Sequence, residues 1–352
     1  MTRITLAANN AEIGGGEVML LALASALREL GHEVAVVAPA HADGVGVAAA
    51  RMGLPTTAIR GSSRREYLAG LRRWDAARRQ GVLWCNGHVP ALATTGRPNR
   101  IVHLHQAPSL AHVAAGRLAG AGALVTLVPS WSMARHFPGA QVLPNWVEPV
   151  PVVAQSRGLN PPTDAPVTLG FLGRLSPSKG VVVLAQALAA LDAAAPGRYR
   201  LLLAGEPRFV PEADRAVVEA ALAPVAHLVE RPGWMDRAEF FARVDMAVFP
   251  SVQEETFGLM AAEAMSARVP FIVSDAGALP EVVGADYPWL SHAGSVADLA
   301  AMIARLATAP AAQTAAVVQR MYERWEERFS PAAGLRHLRF LLMDVLPAGG
   351  AA

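Results

Sequence analysis

Apolar residues along this chain fall in short runs, separated by longer stretches that are apolar on one side only. Residues 4–8 form the first run, with the length and continuity of a buried strand. Residues 17–30 repeat apolar positions at helical spacing and stop at Gly31, the residue type that most often closes a helix. Residues 33–38 are the next short run. Strand, loop, helix and strand in this order predict a parallel sheet, because parallel strands need a crossover between them. Runs at 82–86, 101–105, 123–129 and 141–143 continue the series. Residues 149–166 break it with Pro149, Pro151, Pro161, Pro162 and Pro166, and read as a linker.

After the linker the alternation restarts. Strands are predicted at 167–173, 199–205, 227–230, 246–250 and 271–274. Helices are predicted at 181–194, 212–222, 237–243 and 258–267. From Val296 onward the pattern is helical, divided at Pro310 and Pro331, and 332–346 reads as a last amphipathic helix. The expected fold class is α/β: two Rossmann-like, doubly wound domains facing across a cleft. Residues 1–148 would form the first domain, 149–166 the linker and 167–330 the second domain. Residues 331–352 would form a C-terminal helix and tail, with the helix crossing back to the first domain. Ligands of such sheets sit at the C-terminal ends of the strands.

Composition narrows the classes. A chain of 352 residues suits two cores, and 53% hydrophobic with 17% charged residues leaves no basis for a long disordered region. The formal net charge of +2 is too small to imply nucleic acid by itself. Its distribution is uneven: Arg51, Arg60, Arg64, Arg65, Arg72, Arg73, Arg78, Arg79, Arg97 and Arg100 face only Glu66 and Asp75 in that stretch. The pairs within 64–79 read either as a solvated helix face or as a surface for anionic lipid or an acidic acceptor. No aromatics are interleaved with them, so stacking on bases is not expected. Cys85 is the single cysteine, which excludes an intrachain disulfide and a cysteine-rich metal site. The N-terminus enters a strand pattern at once, without the basic and long apolar regions of a signal peptide. No uninterrupted apolar run reaches the length of a membrane span. The expectation is a cytoplasmic protein, with peripheral contact at the inner membrane face as the sharper reading of 64–79.

Three loops carry candidate chemistry, each between a strand and a helix. Gly14, Gly15 and Gly16 follow the first strand and open a helix. Glycine permits positive φ and close backbone approach, and a helix N-terminus favours an anion. Their spacing is not the dinucleotide fingerprint, and a flexible turn is the competing reading. The second loop is Gly173-Arg174-Leu175-Ser176-Pro177-Ser178-Lys179-Gly180. Arg174 and Lys179 could converge there on one diphosphate and neutralise a departing nucleotide. Lys179 is the only lysine in the chain. The third loop runs from Pro250 through Glu255-Thr256-Phe257-Gly258-Leu259-Met260 to Glu263. Backbone N–H groups at Phe257, Gly258 and Leu259 would face an anion or a sugar oxygen. Glu255 could accept from sugar hydroxyls, or serve as a carboxylate at the positive end of a helix. Glu263 lies among Ala261, Ala262, Ala264 and Met265, where a carboxylate needs partners; ribose hydroxyls or an internal ion pair would serve. In the first half, His103 and His105 share a face at a strand end. No third ligand suggests a metal site. His105 reads as a donor to a sugar oxygen; His103 reads equally as such a donor or as a satisfied buried histidine.

At these residues the chain resembles the retaining GT-B glycosyltransferases of family 4 (group 1). The resemblance covers almost the whole length. It is most specific in the Gly-Arg-Leu…Lys-Gly loop, the Glu255/Glu263 pair within Glu-Thr-Phe-Gly-Leu-x3-Glu-Ala-Met, and Leu279-Pro280-Glu281. It is weaker in the glycine turn, His105 and Leu143-Pro144-Asn145. The resemblance implies metal-independent hexosyl transfer with retained anomeric configuration. The donor would be a nucleoside-diphosphate sugar, taken first as UDP with GDP or TDP as alternatives, and no cofactor is implied. Arg174 and Lys179 would hold the diphosphate and Glu263 the ribose. Glu255 with the backbone of Phe257, Gly258 and Leu259 would hold the donor sugar. His105 would lie on the acceptor side, and Gly15 and Gly16 would approach diphosphate or acceptor. The acceptor would be a bacterial envelope glycan, a glycolipid or a small natural product, and no nucleic acid is expected. Two positions depart from the pattern. Trp146 stands where the family has glycine, which touches the local turn. Arg268 stands where the family has glycine after a helix, and a differently ended helix is expected there. A nucleotide-sugar epimerase and a non-catalytic nucleotide-sugar-binding protein are the alternatives.

Overall fold

The structure is a computed structural model and describes residues 1–106, 109–151, 165–207 and 210–346. Most of the expected linker and the tail beyond Leu346 lie outside the described residues. The chain divides into two compact units: Met1–Val147 with Arg328 onward, and Glu148–Glu327.

The first unit holds a seven-stranded sheet of β1 (Arg3–Ala8), β2 (Glu33–Pro39), β3 (Thr56–Ile59), β4 (Val82–Asn86), β5 (Arg100–His103), β6 (Val125–Val128) and β7 (Gln141–Val142). Its order is β3-β2-β1-β4-β5-β6-β7, and every pair is parallel. β4 is buried along its whole length, and β1 from Ile4 onward. Strands covered on both faces carry continuous apolar runs, which is why these were legible. β3 was not foreseen, because its pattern of exposed and half-buried residues is that of a sheet edge. The helix Gly15–Glu29 starts two residues earlier than its apolar face suggested.

Arg100 is fully buried and gives its guanidinium to the carbonyls of Ala91, Arg97, Ala119 and Ala121. It therefore closes the ends of neighbouring segments and does not form a surface charge. Arg79 pairs with buried Asp75 at 2.6 Å and donates to the carbonyls of Gly81, Pro98 and Asn99. Arg72 donates to the carbonyl of Ala93. Part of the basic stretch is thus structural, while Arg64, Arg65, Arg73 and Arg78 remain exposed on the helix Arg64–Arg78. Cys85 is buried, its thiol pushed up to about 11 by desolvation, as suits an inert residue.

The helix Pro331–Val345 returns to this unit and packs on the helix Gly15–Glu29. Trp146 explains how. It is 2% exposed, and a Cβ built at Gly334 would stand 2.2 Å from its ring. Trp146 is the surface on which the returning helix sits.

The second unit holds a six-stranded parallel sheet of β8 (Val167–Leu172), β9 (Tyr199–Ala204), β10 (Val229–Gly233), β11 (Met246–Phe249), β12 (Phe271–Ser274) and β13 (Leu290–Ser291). Its order is β10-β9-β8-β11-β12-β13. The strand expected at 227–230 lies later, because Ala223–Leu228 is a 3-10 turn with Pro224 near its start. Arg268 corrects a second expectation. The helix Leu259–Ser266 ends as a glycine-closed helix would, with Arg268 at φ 55°. Arg268 N–H bonds the Met265 carbonyl and Val269 N–H the Ala264 carbonyl, the pattern of a left-handed helix end. The Arg268 guanidinium lies 3.8 Å over the Tyr322 ring, which offsets part of the backbone cost.

Candidate active site

In each sheet the strand order turns around at one place. A strand pair whose connections leave in opposite directions opens a crevice at its C-terminal ends, where ligands of doubly wound sheets bind. In the first sheet that pair is β1 and β4; in the second it is β8 and β11. The candidate residues fall in the loops that follow these strands and in the helices those loops open, with His105 just beyond β5.

In the first unit, Gly14, Gly15 and Gly16 enter the helix Gly15–Glu29, but none of the three has positive φ. Their small size serves close approach instead. A Cβ on Gly16 would meet His105 at 3.8 Å and the Asn86 amide at 3.9 Å. Gly15 is exposed at the helix start. Glu17, overlooked in the sequence, is 3% exposed and accepts from the N–H groups of Asn10 (3.0 Å) and Gly14 (3.3 Å). Burial raises its pKa, and those N–H groups oppose the rise. Asn86, also overlooked, ends β4. Its amide nitrogen donates to the Gly16 carbonyl at 2.8 Å, and its oxygen lies 2.9 Å from His105 Nε2. Since the amide nitrogen is committed to a carbonyl, the oxygen must accept, so His105 carries its proton on Nε2. Nδ1 is then its acceptor. The expected donation to a sugar oxygen is corrected on this point, because the ring N–H is already given to Asn86. Burial, with a smaller contribution from His88, lowers the His105 pKa to about 4.

His103 is buried but departs from the satisfied reading. It is fully buried, its ring 4.0 Å from that of His105, and neither ring nitrogen has a partner among the described residues. Desolvation holds it neutral.

In the second unit, the loop after β8 and the loop after β11 are tied together. Val252 and Gln253 donate backbone N–H to the Ser178 carbonyl at 2.9 and 3.2 Å. Gly180 makes this approach feasible: it has φ 79°, and a Cβ there would stand 1.8 Å from the Pro250 carbonyl oxygen. Lys179 is thereby brought to Glu255, with Nζ 2.5 Å from Oε1. Ser251 Oγ donates to the same oxygen at 2.5 Å, and Ser274 Oγ donates to the Ser251 carbonyl. The Glu255 backbone is gripped as well, its carbonyl accepting from Ala278 N–H at 2.9 Å. Arg174 is exposed, with no side-chain partner among the described residues. Phe257 is buried, Gly258 caps the helix Leu259–Ser266, and the first N–H groups of that helix lack intrahelical acceptors.

Glu263 has its own partner. Its Oε1 accepts from Arg237 at 2.8 Å, so the internal ion pair is present. Its Oε2 is buried without a partner among the described residues. Desolvation raises its pKa, opposed by Arg237. Arg237 was missed because it opens a short helix whose sequence reads as ordinary amphipathic surface.

Among the described residues, no group of three or more His, Cys, Asp or Glu could hold a metal ion. Among them no single helix is long and apolar enough to cross a membrane. A pocket lined by Thr168, Arg200, Val229 and Arg243 lies at the opposite, N-terminal ends of β8 to β10 and has no link to these loops.

The chain is similar to known proteins in sequence and in fold. Residues 166–309 match the family model for "Glycosyl transferases group 1". A D-inositol 3-phosphate glycosyltransferase of Saccharomonospora viridis is 31% identical over 219 residues, 59% of this chain and 47% of that protein. A 2-deoxystreptamine glucosyltransferase of Streptomyces kanamyceticus is 35% identical over 158 residues, 43% of this chain and 38% of that protein. The chain thus spans less than half the length of either relative. The crystal structure of Anabaena Alr3699/HepE in complex with UDP and glucose superimposes with a TM-score of 0.82 at 20% identity, covering 97% of this chain and all of that one. The fold of this protein is therefore the GT-B class of two Rossmann-like units, and its second unit carries the sequence pattern of group 1 glycosyltransferases.

Proposed function

We propose that this chain is a retaining glycosyltransferase that moves a hexose-type sugar from a nucleoside-diphosphate donor to an acceptor hydroxyl without a metal ion. The observation that carries the reading is the meeting of Lys179 and Glu255 at 2.5 Å, in the crevice loops of the second sheet and beside the open N–H groups of the helix Leu259–Ser266. A cation, a carboxylate and a helix N-terminus at one crevice suit a sugar joined to a diphosphate. Arg174 and Lys179 would take the diphosphate and stabilise its charge as the sugar departs, so that no strong acid is needed. Glu255 and the backbone of Phe257, Gly258 and Leu259 would bind the sugar hydroxyls. Glu263 would bind the ribose. In the first unit His105, with Gly15 and Gly16, would serve the acceptor side. With Nδ1 as acceptor, His105 would receive a hydrogen bond from a hydroxyl.

UDP is the proposed nucleotide, with GDP and TDP as alternatives; the similarity to a protein that binds UDP and glucose supports this order. The acceptor is proposed to be a bacterial envelope glycan, a glycolipid or a small natural product. The names of the two relatives support a small polar acceptor. Peripheral contact with an anionic membrane face would rest on the Arg64–Arg79 region, where Arg64, Arg65, Arg72, Arg73 and Arg78 are exposed.

Thermal unfolding with UDP, GDP, ADP, TDP and CMP, one at a time, tests the donor site. Ligand at 100 times its Kd should stabilise by about 2.7 kcal/mol. A shift with one nucleoside diphosphate that Lys179→Ala abolishes is the expected result. No shift with any of the five would overturn the reading.

A further inference from the structure

Glu263 is a carboxylate in an apolar helix interior, 6% exposed between buried Ala262 and Ala264. One oxygen is satisfied by Arg237 and the other has no partner among the described residues. A buried anionic oxygen without a donor is costly unless something supplies one. Arg237 comes from a different element, the helix Arg237–Arg243. That helix is closed at its start by Asp236, whose Oδ1 accepts from the N–H groups of Ala238 and Glu239. Asp236 is thus spent on the backbone, and the Arg237 side chain, 43% exposed, reaches across to Glu263. The helix Leu259–Ser266 packs on β11, β12 and the helix Leu279–Val283. β11 and β12 carry no titratable residue, and Leu279–Val283 carries only Glu281. Among the described residues, Arg237 is the charged group that opposes the neutralisation of Glu263.

We propose that Arg237 is a positioning residue of the donor site: it binds one oxygen of Glu263, keeps the carboxylate charged, and leaves the other oxygen to accept from the vicinal hydroxyls of a ribose. This rests on the reading above that Glu263 takes the ribose. A neutral carboxyl would spend its proton locally and could not accept equally well on both oxygens. Burial pushes Glu263 toward the neutral form, so Arg237 is what holds it in the accepting state at neutral pH. Arg237 need not touch the nucleotide for this.

The test is calorimetric titration of UDP, and of GDP and ADP beside it, into the full chain. The variants are Arg237→Leu, Arg237→Gln, Arg237→Lys and Glu263→Gln, each titrated at pH about 6.5 and about 8.5. Removing the arginine raises the carboxyl pKa, and each unit of rise costs up to about tenfold in the charged fraction at low pH. Arg237→Leu and Arg237→Gln should therefore bind about tenfold more weakly at the lower pH and recover at the higher. Arg237→Lys should rescue most of the loss, and Glu263→Gln should stay weak at both. 2′,3′-Dideoxy-UDP should bind wild type and Glu263→Gln alike. Arg237→Leu and Arg237→Gln weakened equally at both pH values, or not at all, would overturn the proposal while leaving the ribose reading intact. Glu263→Gln binding like wild type would overturn the ribose reading and this inference with it, as would the absence of binding by all three nucleotides.

Discussion

Lys179 shows what a single residue can and cannot announce. Its rarity drew attention to it, and its place between strand and helix suggested an anion. The partner it actually holds, Glu255, lies 76 positions away. Under the proposed function Lys179→Ala removes the diphosphate charge partner and leaves Glu255 with Ser251 alone. We expect a loss of at least about tenfold in nucleotide affinity, since charge-assisted bonds contribute about 1.5–3 kcal/mol. Calorimetric titration with UDP checks this. Arg268 carries a different prediction. Its left-handed backbone costs about 1–2 kcal/mol, and its guanidinium over Tyr322 returns part of that. Arg268→Ala keeps the strain and loses the ring contact, whereas Arg268→Gly loses both. The glycine variant should be more stable than the alanine variant by about 1 kcal/mol in urea unfolding. The residue type at 268 was legible in the sequence; the sign of its φ was not, because that depends on how the next strand leaves the helix.

At the scale of elements, the candidate site exists because two loops after β8 and β11 approach within backbone contact. Gly180 sets that distance. Gly180→Ala meets both a left-handed φ and the Pro250 carbonyl. It should destabilise the protein by about 2 kcal/mol or more and abolish the thermal shift with nucleotide. Gly334→Ala tests the other unit. The methyl group would gain helix propensity of about 1 kcal/mol but collide with the Trp146 ring, so net destabilisation of about 1–2 kcal/mol is expected in the same assay. The strand–loop–helix order of both sites was readable in advance, since apolar runs and glycines mark it. The cross-links Asn86–His105 and Arg237–Glu263 were not, because each joins elements that become neighbours only when the sheet or the helix layer is assembled.

For the whole molecule, the chain leaves the first unit at Val147 and returns to it at Arg328. A chain ended at Glu327 would expose Trp146 and one side of the helix Gly15–Glu29. Loss of a buried tryptophan's packing costs about 3–5 kcal/mol. Calorimetry of the shortened chain should show a transition lost or lowered for the first unit, with that of the second unit preserved. The first unit should also be sensitive to acid. His103 and His105 have folded pKa values below the ordinary 6.5, so the unfolded chain binds more protons. The stability they contribute is complete above about pH 6.5 and is lost as pH falls toward the folded value, about 4 for His105. His103→Leu should flatten the fall in urea midpoint between about pH 7 and about pH 5.

Sequence alone determined the alternation and most of the elements, the edge strand β3 excepted, because strand and helix periods follow from local backbone geometry. It also placed Gly173–Gly180 and Pro250–Gly258 at strand ends, because apolar runs stop where strands stop. The tertiary structure decided the pairings: which loop meets which, that Glu255 faces Lys179, that Glu263 keeps one oxygen for Arg237, and that Trp146 lies beneath the returning helix. Those choices depend on strand order and on the packing of residues distant in the chain, and no local pattern encodes either.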